Sequence, residues 1–178
     1  MKKKMIIITL ILLVGFLACV IAYYFTKNAA LFTVAITLGT CFYHFAMRLI
    51  VGLLCIDTIF HNKMNYNRWW FRERKGEARF YKILHVQNWK KHLPTFKPEY
   101  FDIKKHSIEE IIQATCQAEV VHEIIMVLSF VPVIFTVWFG ALLAFLITSC
   151  VAFCFDSIFV ILQRYNRPRL IRLLKFKR

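Results

Sequence analysis

The chain has 178 residues and a formal net charge of +14, and 59% of its residues are hydrophobic and 16% aromatic. An apolar fraction this high excludes an ordinary soluble domain of this size and indicates a protein that lives in a lipid bilayer. The six cysteines form no Cys-x-x-Cys pair, so neither a disulfide framework nor a zinc knuckle is predicted.

Four apolar segments are long enough to cross the hydrocarbon core, which takes about 20 helical residues. In chain order they are 5–25, 30–56, 120–138 and 141–162. The last two are separated only by Phe139 and Gly140, and a break is favoured over one very long helix because Pro132 and Gly140 interrupt helices. The predicted fold class is therefore an all-α integral membrane protein with four transmembrane helices.

The basic residues predict an orientation, because segments that stay in the cytoplasm retain Lys and Arg. Of the 24 basic residues, 22 lie before the first span, between Lys63 and Lys105, or from Arg164 onward. Both termini and the segment between spans two and three are therefore predicted to be cytoplasmic. No nucleic-acid partner is predicted, because every basic cluster adjoins a span, where anionic lipid headgroups account for it.

The same pattern divides the chain into two membrane hairpins, 1–56 and 120–162, a central segment, 57–119, and a basic tail, 163–178. The central segment mixes tryptophans and other aromatic residues with many bases, a composition that suits the headgroup region. It is predicted to be an amphipathic cap that lies on the cytoplasmic membrane surface.

Two local patterns place helices within this cap. Apolar residues at helical spacing predict an interfacial helix from Gly76 to Leu93. Ser107 and Glu110 have the spacing of a capping box, which predicts that a helix starts there and runs directly into the third span.

Six ionisable residues lie in or beside the spans, where each costs roughly 2.5 to 3.5 kcal/mol on insertion scales and is therefore a candidate for function. They are His44, Arg48, Glu119, His122, Glu123 and Asp156. Arg48 and Asp156 lie at matching depth in spans two and four, so a direct ion pair is predicted. His44 is predicted to add to this polar pocket. The alternative is that Arg48 extends to the headgroups and Asp156 is neutral.

Three residues, Glu119, His122 and Glu123, lie on adjoining parts of one helical face, because His122 is three positions and Glu123 four positions after Glu119. A neutral imidazole beside a carboxylate can take a proton from a hydroxyl while the carboxylate orients the ring. This is the chemistry that an O-acyltransferase needs. The alternative is that all three side chains face water at the helix entrance.

Three stretches carry a family resemblance: "WKKHLP" (89–94), "IEEIIQATCQAEVVHE" (108–123) and "LQRYNRPRLIRLL" (162–174). With them the chain resembles the glycosyl-4,4'-diaponeurosporenoate acyltransferase family of small bacterial membrane proteins. The resemblance implies an enzyme of the bacterial cell membrane that moves a fatty acyl group onto a hydroxyl of a glycosylated lipid. The family pattern has Trp after the histidine, whereas Glu123 stands here, so the acceptor stays open between a carotenoid-type and another glycolipid.

On this resemblance His122 is expected to be the general base and Glu119 its orienting partner. The stretch 162–174, here called the Arg-rich motif, is expected to bind donor phosphates or the acceptor sugar, because a guanidinium presents a planar fork of donors. The substrate-binding residues it implies are Arg164, Asn166, Arg167, Trp89 and Glu123. No cofactor is expected, and a thioester carrier supplies the acyl group as co-substrate. The expected partners are membrane lipids and an amphiphilic glycolipid acceptor, and a homo-oligomer stays open.

Two other functions fit the same side chains. A non-enzymatic four-helix membrane subunit would bind lipid or a partner protein and use its charges for packing and topology. A metal-dependent membrane enzyme would take its ligands from three helices. Those ligands would be His44, Glu119, His122, Glu123 and Asp156. No single segment supports a metal site with a recognised spacing such as His-Glu-x-x-His.

Overall fold

The structure is a computed structural model that describes residues 2–58, 64–93 and 101–176. All regular secondary structure in these ranges is helical. The α-helices are α1 (Lys2–Thr26), α2 (Ala29–Thr58), α3 (Glu77–Ile83), α4 (Val86–Trp89), α5 (Ile108–Leu128), α6 (Val131–Ile134), α7 (Thr136–Phe139) and α8 (Leu142–Phe176). Single 3₁₀ turns lie at Trp69–Phe71 and Lys90–His92.

Four helical segments are long and apolar enough to cross a membrane. They are Lys3–Thr26, Ala29–Leu54, Ile108–Phe139 and Leu142–Phe176. The prediction of an all-α membrane protein with four spans is confirmed. At about 1.5 Å per residue, the 35 residues of α8 exceed the hydrocarbon core of about 30 Å. The predicted basic tail therefore continues α8 as helix up to Phe176, with Pro168 inside it.

The third span, predicted over 120–138, is interrupted near Pro132, one of the residues named as a helix breaker. α5 ends at Leu128, and α6 begins at Val131 with Pro132 in its first turn. Proline lacks an N–H and clashes with the carbonyl four residues earlier, which here is that of Leu128. The Leu128 carbonyl instead accepts a hydrogen bond of 2.9 Å from the Tyr43 hydroxyl, so α2 satisfies the group that Pro132 leaves unpaired. The left-handed Gly140 (φ 69°) ends α7, as the predicted break requires.

The chain forms two compact units. The first, here called the apolar unit, comprises Met1–Leu53 and Ile124–Asp156. The second, here called the basic unit, comprises Leu54–Glu123 and Ser157–Arg178 and carries 19 of the 24 basic residues of the sequence. α5 begins in the basic unit and ends in the apolar unit, whereas α8 does the reverse.

The apolar unit contains the ion pair expected between spans two and four. The Arg48 guanidinium contacts the Asp156 carboxylate and also donates to the backbone carbonyl oxygens of Ala152, at 3.2 Å, and His44, at 3.0 Å. The Asp156 side chain is 1% exposed. The direct contact that matching depth predicts is therefore present, and α8 supplies two acceptors to one arginine of α2.

This pair leads to a prediction for stability. Arg48→Ala and Asp156→Ala should each destabilise the protein, because each leaves the other charge unpaired in an apolar surrounding. The double variant should lose less than the sum, with a coupling of about 1 to 3 kcal/mol in the free energy of unfolding. Unfolding in detergent, followed by circular dichroism, measures it. Arg48→Ala combined with Thr9→Ala on α1 is the additive control, and additivity of the Arg48 and Asp156 variants would contradict the coupling.

In the basic unit, the predicted helix from Gly76 to Leu93 is wrong as one element. It is divided into α3, α4 and a 3₁₀ turn, because His85 adopts a left-handed conformation (φ 49°) that ends the first helical stretch. A non-glycine residue pays roughly 1 to 2 kcal/mol for this conformation, which persists only where packing determines it. The break lets Val86 become fully buried against Tyr81 of α3 and Tyr165 of α8.

The capping box at the start of α5 is confirmed. The Glu110 N–H donates to the Ser107 hydroxyl at 3.2 Å, and the Ser107 N–H donates to the Glu110 carboxylate at 2.7 Å. From Ile108 the helix runs without a break to Leu128, as the sequence predicts.

Candidate functional site

A buried carboxylate lies at the centre of the basic unit. Glu119, on α5, is 0% exposed. One of its oxygens accepts from Arg164 at 2.7 Å, and the other contacts the guanidinium of Arg167. Both arginines come from one face of α8, three residues apart. Opposite charges this deeply buried are tolerated only when further hydrogen bonds satisfy the remaining donors.

Arg164 uses all five of its N–H groups on the protein. Its Nε and Nη2 donate to one oxygen of Glu77, at 3.2 and 2.7 Å, and its Nη1 donates to Glu119. The remaining two donors reach the backbone carbonyls of Trp70, at 3.0 Å, and Arg72, at 3.3 Å. This one side chain therefore connects α8 to α3, to α5 and to the turn at 69–72.

Glu77, at the start of α3, is held from two sides. Its second oxygen accepts a hydrogen bond of 3.1 Å from the Tyr81 hydroxyl. Burial, together with the neighbouring Glu77 carboxylate, raises the pKa of Tyr81, so the phenol stays protonated and keeps donating.

Arg167 is even more enclosed, with 1% of its side chain exposed. It donates to the hydroxyl and to the backbone carbonyl of Thr115, both at 3.1 Å, and to the carbonyl of Phe71 at 3.3 Å. Its guanidinium lies 5.0 Å from the centre of the Phe71 ring, a cation–π arrangement. We call Glu77, Thr115, Glu119, Arg164 and Arg167 the arginine core.

The arginine core changes the role expected for the Arg-rich motif. Arg164 and Arg167 were expected to clamp donor phosphates or a sugar, but their donors are directed at carboxylates and carbonyls of the protein. Arg164 has no N–H left for a ligand. Asn166, between them, is half-buried. The motif therefore holds four segments of the basic unit together.

His122 lies on α5, one turn beyond Glu119, and is half-buried. Its ring stacks on Phe159 of α8 with 4.7 Å between centroids and 8° between planes. Both oxygens of Glu119 contact arginines, and the ring plane of His122 is fixed by its stacking on Phe159. A face-stacked imidazole keeps both nitrogens at its edge, where hydrogen bonds form.

Glu123, the next residue, accepts from the indole N–H of Trp70 at 3.0 and 3.2 Å. This contact fixes the 69–71 turn against α5 beside His122. Trp89, the aromatic residue assigned to substrate binding, packs against the cluster of Tyr81, Val86 and Tyr165, and its indole donates to the Leu84 carbonyl at 2.9 Å. Trp89 is therefore part of the packing of α3 and α4.

Buried polar side chains also occur in the apolar unit. His44 is 5% exposed, and among the described residues neither of its ring nitrogens has a hydrogen-bond partner. The hydroxyl of Ser149 is also buried and has no partner within the same ranges. Over the described ranges, no three His, Cys, Asp or Glu side chains are grouped to hold a metal ion, so the metal hypothesis finds no support in the geometry.

Glu77 and Thr115 belong to the arginine core but were not singled out in the sequence. Glu77 resembles an ordinary acidic residue in the first turn of a helix, and Thr115 a neutral residue of an amphipathic one. The sequence carried one signal that could have pointed to them: arginines outnumber acidic residues near α8. A buried arginine needs acceptors, which other segments must then supply.

Comparison with known proteins gives one family. The family model described as glycosyl-4,4'-diaponeurosporenoate acyltransferase matches residues 67–176, which is more than half of the chain. The matched range contains the whole arginine core, His122 and Phe159, whereas Arg48 and His44 precede it. No curated protein and no solved structure matches the chain.

Proposed function

Because the chain belongs to the glycosyl-4,4'-diaponeurosporenoate acyltransferase family, we propose that it transfers a fatty acyl group from a thioester donor to a hydroxyl of a glycosylated lipid. His122 is the general base of this proposal. The observation that carries it is the half-buried imidazole, held by its face on Phe159 one turn from the arginine core.

The proposed step is a direct transfer. Neutral His122 takes the proton of the acceptor hydroxyl while that oxygen attacks the thioester carbonyl carbon. The tetrahedral intermediate collapses, the carbon–sulfur bond breaks, and the departing thiolate takes the proton from the imidazolium. The products are an ester and a free thiol. No acyl-enzyme is required, because the hydroxyl itself is the nucleophile.

The arginine core supports this role by positioning. Arg164 and Arg167 bind the carbonyls of Trp70, Phe71 and Arg72 in succession, so the turn beside His122 is fixed through its backbone. Catalytic groups must be held within about 0.5 Å of a productive geometry, and supporting hydrogen bonds provide that precision.

An amphiphilic acceptor fits the character of the helices around His122. α5 carries charged residues up to Glu123 and none from Ile124 to Leu128. Trp70 donates to Glu123 at this change, and indoles favour the border between hydrocarbon and water. The sugar hydroxyl of the acceptor would lie at the imidazole.

The orientation is part of the proposal and gives a second prediction. In a variant without native cysteines, a cysteine at Asn28 in the α1–α2 turn should react with an impermeant thiol reagent added outside cells. A cysteine at Lys91 should react only after lysis, because the basic stretches face the cytoplasm. Both positions are exposed in their own unit. The reverse labelling would overturn the orientation.

A direct assay tests the function. The purified protein is incubated with long-chain acyl thioesters and with two acceptors, a glycosylated carotenoid acid and a glycosyl diacylglycerol. Mass spectrometry should detect one added acyl group on one of them. Binding of acceptor without any acylated product would instead favour a lipid-binding subunit.

A further inference from the structure

A cavity of about 290 Å³ lies in the basic unit between the 66–73 segment and the end of α8. The segment contributes Tyr66, Phe71 and Arg72, and α8 contributes Pro168, Ile171 and Arg172. Apolar and ring side chains thus form much of its wall, and a guanidinium lies on each side.

The two arginines differ from Arg164 and Arg167 in how their donors are used. The Nε of Arg72 donates to the Asn67 carbonyl at 2.7 Å, and the Nε of Arg172 donates to the Pro168 carbonyl at 3.3 Å. Within the described part of the chain, the terminal nitrogens of both make no hydrogen bond. Each side chain is therefore held at its Nε and presents its two terminal nitrogens. Their N–H groups can bind two phosphate oxygens at once.

The arginine core holds the cavity wall in place. The carbonyl of Arg72 accepts from Arg164 at 3.3 Å, and that of Phe71 from Arg167 at 3.3 Å. The backbone that carries the Arg72 fork is thus fixed before any ligand arrives, which lowers the entropic cost of binding.

We infer that this cavity binds phosphate groups and, on the proposed function, takes the phosphate-bearing carrier of the thioester donor. Glu73 also lines the cavity and opposes one of the two positive charges. The lining keeps a net positive charge, so it attracts a diphosphate while allowing the spent carrier to leave. The phosphate-binding role that the sequence predicted for Arg164 and Arg167 is thus assigned to Arg72 and Arg172.

Binding of non-reactive probes tests the inference. Titration calorimetry on the full chain in a neutral detergent should detect binding of coenzyme A and, more weakly, of inorganic pyrophosphate. Arg72→Gln and Arg172→Gln should each weaken coenzyme A binding about 10-fold, and the double variant about 100-fold, as expected for lost charge-assisted hydrogen bonds.

The matched control is Arg79→Gln with Lys82→Gln, which removes the same two charges from exposed positions on α3 outside the cavity. This control should weaken binding less than about threefold, because charges outside the cavity act on the ligand only from a distance and are screened by salt. Equal losses in both pairs, or no loss in the Arg72 and Arg172 variants, would overturn the site. Thermal unfolding must stay unchanged, and Arg172→Gln alone suffices if the double variant is unstable.

Further arms separate the phosphate sources and the two proposals. If nanodiscs with anionic phospholipid bind through Arg72 and Arg172 but coenzyme A does not, the donor assignment is overturned in favour of a headgroup. Coenzyme A binding without acyl transfer from any thioester would sink the proposed function and leave the site standing. If the protein transferred an acyl group from a thioester that lacks phosphate, and bound none of the probes, the proposed function would stand and the phosphate site would be overturned.

Discussion

His122→Ala is expected to lower the rate of acyl transfer by about 10²- to 10⁴-fold, the usual contribution of a positioned general base. The side chain is half-buried and stacks on Phe159, so its removal should leave the protein able to fold and insert. Product formation, measured by mass spectrometry at saturating donor, gives the rate, and thermal unfolding gives the stability.

Two variants make the result specific to the imidazole on α5. His92→Ala removes an exposed histidine from the 3₁₀ turn of the basic unit and should leave the rate unchanged. Phe159→Leu keeps an apolar contact but removes the stacked face, so it should slow transfer about 10-fold by letting the ring reorient. A His122→Ala variant with the wild-type rate would end the general-base assignment.

Glu119→Gln is expected to destabilise the protein by about 3 to 5 kcal/mol, the cost of removing one partner from a buried ion pair. Its carboxylate contacts both Arg167 and Arg164, and Arg164 also contacts the carboxylate of Glu77. The side chains of Glu119, Arg164 and Arg167 are largely enclosed. Thermal or urea unfolding in detergent, followed through the tryptophan fluorescence, measures the loss.

The control for this prediction is Glu123→Gln, one turn further along α5. Its amide oxygen can still accept the Trp70 N–H, so the loss should stay below about 1 kcal/mol. Adding Arg167→Met to Glu119→Gln should recover part of the stability, because it removes the charge left unpaired. Equal effects of the Glu119 and Glu123 variants would show that the arginine core is not the centre of the basic unit.

Hydropathy was enough to predict the spans because the thickness of the hydrocarbon core sets their length. The Arg48 and Asp156 contact was equally accessible, since a fixed helical rise converts sequence position into depth. An apolar surrounding then leaves two opposite charges few alternatives. In both cases the bilayer imposes a single distance along the helix, which can be read directly from positions in the sequence.

The use of Arg164 and Arg167 could not be predicted in this way. A guanidinium binds a protein carboxylate and a phosphate with the same geometry, and Glu77 is 87 positions away from Arg164 along the chain. The break at His85 has no glycine or proline to announce it, and it follows from the burial of Val86. Such features depend on tertiary packing, which local patterns do not contain.

The Arg48 and Asp156 pair also has a consequence for how the protein is made. The two residues are 108 positions apart. At a synthesis rate of about 5 to 20 residues per second, α2 therefore waits for its counter-charge for roughly 5 to 20 s. During that interval Arg48 has no counter-charge, so α2 must insert late, be sheltered by the insertion machinery, or hold Arg48 extended to the headgroups. Chains that terminate before α8 never neutralise it.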